Sequence, residues 1–513
     1  MARGRLPRRY LLAGLGLGAG AFAASEATGL TSVVRRVVAD PPRGEEVVRP
    51  RQSAPPRRTG PNRTVLENQA RGAADFRLTG RRFSSDTARQ IQGYTTDTSV
   101  EAGGQLGFKV SVAPAQNFRI QVYRVGDYAG AGARLMTESP RLRGATRPKP
   151  VPDPATGLTR CDWPLSWTLR TGRDWTSGYY LALLVNDEGY RAWIPFLVRE
   201  PRRVSDLLVV VGTSTYQAYN RWPLDEVSGK SLYYGYTAAG TSSYGSRARA
   251  VSHDRPYSGN GLPKMADQDI GFVRWLEGTG YDLTYASSED LHAGRVRPEQ
   301  HQGVVFASHD EYWSPAMRQA TTRARDAGTS LAFMTANNVY WKIGYAPAGG
   351  VPDRIIHCPK KHVISPEKGR RELDQWRASD PEQQLLGTQY ITILRGSAPL
   401  VVRGAGHWFW AGTGVRDGDR IPYLVTGEAD HQAPRTPLPR HRERVLLSAS
   451  PFTSVRDDPW TQHTQLYQAE SGAWVFVAGT FGWPPALYDA EVHDDRVEKA
   501  TQNLFGRMVR NKA

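Results

Sequence analysis

A chain of 513 residues is long enough for two or three domains and a sizeable core, and 14 Trp with 23 Tyr argue against a disordered protein. The net charge of +16 is uneven, because residues 1–63 hold twelve Arg against four acids and so carry +8 of it. The other 450 residues share the remaining +8 with acids interleaved, no basic element stands out, and a nucleic-acid partner is not expected.

The first 24 residues have the parts of an export signal. A twin arginine at Arg8-Arg9 precedes an apolar stretch, and Ala21-Phe22-Ala23 reads as a small-residue cleavage site. The apolar run from Leu11 to Ala24 is too short to span a bilayer comfortably. Export by the twin-arginine pathway to an extracytoplasmic or secreted location is expected, with no stable membrane span after cleavage. Residues 25–74 are rich in Pro, Arg, Ser and Gly and read as a disordered linker.

Over 75–200 the pattern changes to short alternating runs, such as Leu106-GFKVSV, Phe118-RIQVYRV and Ala192-WIPFLV. Strands of this length at this spacing predict an antiparallel β-sandwich. From 201 to 510 strands alternate with helices. Asp206-LLVVVG is a buried strand, 269–279 a helix, 281–287 a strand, and 303–307 a strand followed by a helix over 315–327 and a strand over 330–334. Such alternation predicts a mostly parallel sheet with helices on both faces and all strand carboxyl ends on one side. Beyond 350 the pattern weakens. Residues 351–380 read as loop, while the stretches from His407, Glu443 and Ala473 suggest further strands before a closing helix near 500. The fold class is an α+β multidomain chain, a sandwich followed by an α/β domain. Cys161 and Cys358 fall in different predicted domains and are expected as free or buried thiols.

Ligands of open α/β sheets sit beyond the carboxyl ends of the strands. The polar residues expected there are Tyr216, Gln217, Tyr219 and Asn220, then Ser308, His309, Asp310 and Glu311, then Asn337 and Asn338. A loop over 251–262 adds His253, Asp254 and Tyr257. A carboxylate among phenols makes a hard anionic oxygen site suited to ferric iron. Zinc, with His309 as a direct ligand, is a second possibility. Ser308 follows a strand and precedes a helix, but it lacks the flanking glycines of a nucleophile elbow.

Taken together, Tyr216-QAYN, His253-DRPY, Phe272-VRWLEGTGYDLTY, Ser308-HDEYWS, Ala336-NNVYWK and Trp410-AGTGVRDGD resemble the large catalytic subunit of N,N-dimethylformamidase and its relatives. Ile91-QGYTTDTSVEAGG and Ile120-QVYRVGDYAG resemble that family's N-terminal domain, and the likeness runs over roughly 75–505. The resemblance implies an amidohydrolase cleaving the C–N bond of a small amide, built on a glutamine-amidotransferase-like α/β domain. It also implies one mononuclear iron (Fe3+), held by Tyr219, Tyr257 and Glu311, with His309 and Asn337 around it and Glu428 as a further acid/base carboxylate. His309 or Glu428 would move the proton, and Asn337 would meet the developing oxyanion. A small partner subunit or a homo-oligomer is compatible with the family. The alternative is a non-catalytic exported binding protein whose α/β domain is degenerate.

Overall fold

The structure, a computed structural model, describes residues 62–80, 82–307, 309–365 and 369–510. The export signal, most of the linker and Ser308 lie outside the described residues. The linker expected over 25–74 gives way at its end to a helix, α1 (Arg63–Asn68). Asn62 caps it by accepting the Val65 N–H at 2.9 Å, and Thr64 accepts the Leu283 N–H at 2.9 Å. Asn68 and Glu67 add bonds to Glu277 at 2.7 Å and to Arg134 at 2.9 Å, so this end of the stretch that reads as linker is docked.

The chain is a mixed α+β protein, rich in strands. Its first part contains β1 (Ile91–Thr95), β2 (Ser99–Glu101), β3 (Gln105–Val112), β4 (Asn117–Val125), β5 (Ala133–Glu138), β6 (Trp167–Arg170), β7 (Gly178–Asn186) and β8 (Arg191–Arg199). One sheet has the order β1-β3-β6; a larger one has the order β2-β8-β7-β4-β5. All these pairs are antiparallel except β2 with β8, a parallel edge that the alternation alone does not reveal. Alternate residues of β4, Phe118, Ile120 and Val122, join Ile91, Phe108 and Val110 of the smaller sheet in one core. The other face of the large sheet, with Tyr179, Leu181, Leu183 and Trp193, is buried too. This explains why β7 reads Tyr-Tyr-Leu-Ala-Leu-Leu without a polar beat: both of its faces are covered.

What covers that second face is the α/β part. It is made of β9 (Leu207–Val211), α2 (Thr213–Tyr219), α3 (Ala266–Glu277), β10 (Leu283–Ser287), α4 (Ser288–His292), β11 (Gly303–Phe306), α5 (Pro315–Asp326), β12 (Ser330–Phe333), β13 (Gln389–Val401), β14 (Arg420–His431), β15 (His441–Leu446), β16 (Gln465–Ala469), β17 (Trp474–Val477) and α6 (Asp495–Arg510). The central sheet has the order β10-β9-β11-β12-β17-β16-β15. Its first five strands are parallel and its last two antiparallel. Along β9, Leu207, Val209 and Val211 point into one core with α3 and α6, while Leu208 and Val210 point into the other with Met317 of α5. Helices therefore lie on both faces, as the strand–helix alternation predicts.

Two readings beyond 350 change. Val351–His357, His362–Ser365 and Gly369–Glu372 are strands rather than loop, and the His407 stretch is a 3-10 turn at Trp408–Trp410 rather than a strand. Aromatic content suggested a strand there, but the rings of Trp408, Phe409 and Trp410 pack onto Trp474, Phe476 and Trp483 from a single turn.

Ion pairs tie the two parts together, and one of them is fully buried. Arg124 of β4 donates to both oxygens of Glu277 of α3 at 2.8 Å, both side chains are fully buried, and the Tyr285 hydroxyl adds a bond at 2.9 Å. Replacing Glu277 by alanine strands the guanidinium in the interior, so a loss of about 3–5 kcal/mol in denaturant unfolding is expected. Cys161 and Cys358 are both buried and unbonded.

A candidate active site at the carboxyl edge of the parallel sheet

The chain leaves β9 directly into α2, a short helix carrying the polar residues Tyr216, Gln217 and Tyr219 that the sequence places beyond the strand end. At about 100° per residue, positions i and i+4 share a face while i and i+2 oppose one another. Thr215 and Tyr219 thus form one side. Thr215 Oγ1 accepts the N–H groups of Glu311 and Tyr312 at 3.0 and 3.3 Å, and the Tyr219 hydroxyl donates to Glu311 Oε2 at 2.9 Å. Tyr216 and Gln217 face the other way.

Glu311 sits four residues beyond the buried strand run and is itself fully buried. Its carbonyl accepts the N–H groups of Tyr340 and Trp341, both at 2.9 Å, which locks the 309–313 segment to the one following β12. Its second carboxylate oxygen accepts a close hydrogen bond from Tyr233, whose hydroxyl also accepts the Trp341 indole N–H at 3.1 Å. The Tyr219 and Tyr233 rings lie 4.7 Å apart. Two phenol oxygens and a carboxylate therefore converge on one buried spot. His309 joins them, with Nε2 3.2 Å from Glu311 Oε2 and 3.3 Å from the Tyr219 hydroxyl. Its Nδ1 lies 3.3 Å from the Ala336 carbonyl, a contact that turns Nε2 toward the centre.

Glu428, on the long hairpin of β13 with β14, completes the group. Its carboxylate lies beside the Asn337 side chain, which favours its charged form. Among the described residues, Glu428 Oε2 and Asn337 Oδ1 are buried without a hydrogen-bond partner. Asn337 is held in a left-handed turn (φ 55°), and its N–H donates to Asp430 at 2.8 Å.

The electrostatics follow from crowding acids in a dry space. Burial pushes the Glu428 carboxyl up to about 7, with the Glu311 charge adding to it, while His309, the Asn337 side chain and Lys264 pull the other way. Burial likewise carries Asp430 and Asp310 to about 7. Burial also opposes the charge of Glu311, but the His309 bond, Lys360 and Tyr233 outweigh it and hold the group below its ordinary value. For His309 burial works downward, and the Glu311 bond and Glu428 more than reverse it. Burial, then the Glu311 charge, drives the Tyr219 and Tyr233 phenols well above their ordinary value. Lys360 stacks its ammonium 3.4 Å from the Tyr233 ring centre and 4.4 Å from that of Trp341.

The structure brings together four of the expected residues with Glu311, namely Tyr219, His309, Asn337 and Glu428. It places Tyr257 on the opposite side of α2, edge-on to Tyr216 at 6.3 Å and hydrogen-bonded to Gln217. The second phenol at Glu311 is Tyr233, which sequence reasoning missed. Tyr233 follows Ser231-Leu232 in a loop with no periodicity, and only the fold reveals it. Replacing Thr215 by valine leaves two buried N–H groups without an acceptor. A loss of about 1–3 kcal/mol is expected in chemical denaturation, with no change in the bulk of the site.

The buried cluster of oxygen donors and acid/base groups lies beyond the carboxyl ends of parallel strands, where open α/β sheets hold their ligands. The chain belongs to the family described as N,N-dimethylformamidase beta subunit-like, C-terminal, whose model matches residues 119–496. That family is named for a subunit of an amide-cleaving enzyme. No curated protein matches the chain. Among solved structures, a superoxide reductase (neelaredoxin) from Ignicoccus hospitalis matches at 16% identity over 22% of this chain and 82% of its own, with a TM-score of 0.14. A cycloisomaltooligosaccharide glucanotransferase from Paenibacillus matches at 8% identity over 73% and 68%, with a TM-score of 0.16. Neither bears on the site. No described helix is long and apolar enough to cross a membrane.

Proposed function

We propose that the chain is an exported, iron-dependent amide hydrolase that cleaves the C–N bond of a small amide. The observation that carries this is the convergence of Tyr219, Tyr233 and Glu311 oxygens beside His309, Glu428 and Asn337. Three oxygen donors that become anionic on losing protons, buried together, suit a hard trivalent cation. Tyr219, Tyr233 and Glu311 would hold it, with Tyr233 taking the place that the motif reading gives to Tyr257. Bound ferric iron supplies Lewis acidity toward a carbonyl and toward water.

The protein's own groups do the rest. Glu428, poised near neutrality, takes a proton from the water that attacks the carbonyl and returns it to the amine as the C–N bond breaks. The Asn337 side chain holds Glu428 in place and offers its amide to the oxygen that gains charge. His309, fixed through Ala336, orients Glu311 and Tyr219 and adds positive charge. The products are a carboxylic acid and an amine.

The parallel order of β10, β9, β11 and β12 supports a glutamine-amidotransferase-like reading of 201–510, and the separate core of the first sheets supports a sandwich domain over 75–200. Export rests on the twin arginine at Arg8-Arg9, and a small partner subunit rests on the family's description as a beta subunit. Elemental analysis and a visible spectrum of the purified chain test the centre, with turnover of simple amides followed by amine release. Iron with a phenolate charge-transfer band and turnover is expected. Zinc in its place would point to His309 as a ligand, and a colourless, iron-free, folded protein would refute the reading. Iron without turnover of any amide would favour the binding-protein alternative.

A further inference from the structure

The side of α2 that turns away from Glu311 borders a second internal space. Tyr94, Thr98, Tyr179, Gln217, Arg255 and Tyr257 line a cavity of about 30 Å³ at the junction of the sandwich with the α/β part. By the measure of about 10–15 Å³ for one water, it holds two or three heavy atoms and no more.

The charged groups around it are not all in ion pairs. Arg354 also borders the cavity, but its guanidinium is paired with Asp254 at 2.8 Å. His253 is 3.2 Å from Glu289. Arg255 is different. It is 1% exposed, and among the described residues it makes no ion pair. Its partners are all neutral: Gln217 Oε1 at 3.3 Å from Nε, the Lys230 carbonyl at 2.9 Å from one terminal nitrogen, and the Asn220 carbonyl at 2.8 Å from the other. Three of five N–H groups are thereby used, and two remain, one on each terminal nitrogen. Tyr257 and Cys161, the acidic groups that influence Arg255, are themselves pushed upward by burial and stay neutral. A lone guanidinium in the interior is costly unless an anion meets it.

We infer that this cavity binds a small monovalent carboxylate, of the size of formate, held by the free N–H groups of Arg255. A carboxylate offers two oxygens to the two unused N–H groups and a negative charge to a guanidinium that has no ion-pair partner among the described residues. The volume excludes longer acids, and the single positive charge does not call for a dianion. The ligand would neutralise Arg255 and thereby steady Gln217, whose Oε1 accepts from both Arg255 and Asn220. This site is distinct from the Glu311 centre and does not rest on the amide-hydrolase reading.

The test is calorimetric titration of the full purified chain with sodium formate, beside thermal melts in formate and in chloride at equal ionic strength. Millimolar binding and a rise in Tm with formate but not chloride are expected. Arg255→Gln should weaken the affinity by at least about tenfold, and Arg255→Lys, which keeps the charge but loses the fork, should weaken it too. Glu311→Ala, which breaks the other centre, should bind formate as the parent does. No formate binding by the parent, an equal response to chloride, or a folded Arg255→Gln protein with unchanged affinity each overturns the proposal. So does loss of binding in Glu311→Ala, which would place the anion at the other centre. If Arg255→Gln does not fold, the lysine variant and the parent titrations still decide.

Discussion

Tyr233→Phe is expected to lose the metal, its charge-transfer band and amide turnover together, whereas Tyr257→Phe keeps all three. Both substitutions remove one hydroxyl and leave a ring of the same shape, so packing is held constant between them. The Tyr233 hydroxyl bonds to Glu311 and lies beside Tyr219, while the Tyr257 hydroxyl bonds to Gln217 across the helix. Outer partners of a metal centre cost up to about 100-fold when removed, so removal of a ligand should exceed that. Elemental analysis per mole of folded protein, with the visible spectrum, reads the result. Retention of iron by Tyr233→Phe together with its loss in Tyr257→Phe would return the ligand role to Tyr257.

Glu428→Gln separates chemistry from metal binding. The amide keeps the size of the side chain but can neither accept nor release a proton, so kcat/KM should fall by about 10²–10⁴ while iron stays bound. The pH profile supplies a second readout. A carboxyl pushed up to about 7 is neutral below that pH and charged above it, so a general base in this place gives a rate that rises through neutrality and then levels. The variant should lose that inflection. An unchanged profile in the variant would assign the proton transfer to His309 instead.

How far the sequence reaches is clearest around Glu311. The strands that end at 306 and 333 are legible because continuous apolar runs stop abruptly in polar residues, and a parallel sheet has no other way to read. The placement of His309 and Asn337 follows from that, since both sit just past strand ends, whereas Tyr219 is carried to the site by α2, well beyond the end of β9. Tyr257 against Tyr233 was not legible. Both lie in irregular loops, and the choice depends on which side of a seven-residue helix each loop crosses. The hairpin of β13 with β14 was hidden for another reason. Three register shifts along it break the alternation that marks a strand, yet it is this hairpin that carries Glu428 and Asp430 to the site.

The doubly covered sheet of the first part bears on what the unit of this protein is. A break at residue 200 is a natural place to divide the chain by topology, but it is a poor place to divide it by energy. Tyr179, Leu181, Leu183 and Trp193 would meet water there, and Arg124 would lose Glu277. The N-terminal part is thus an unfinished object until α3 has been made and folded against it. Insertions and swaps that treat it as a portable module would have to supply a second lid for that face, which in this chain is the α/β part.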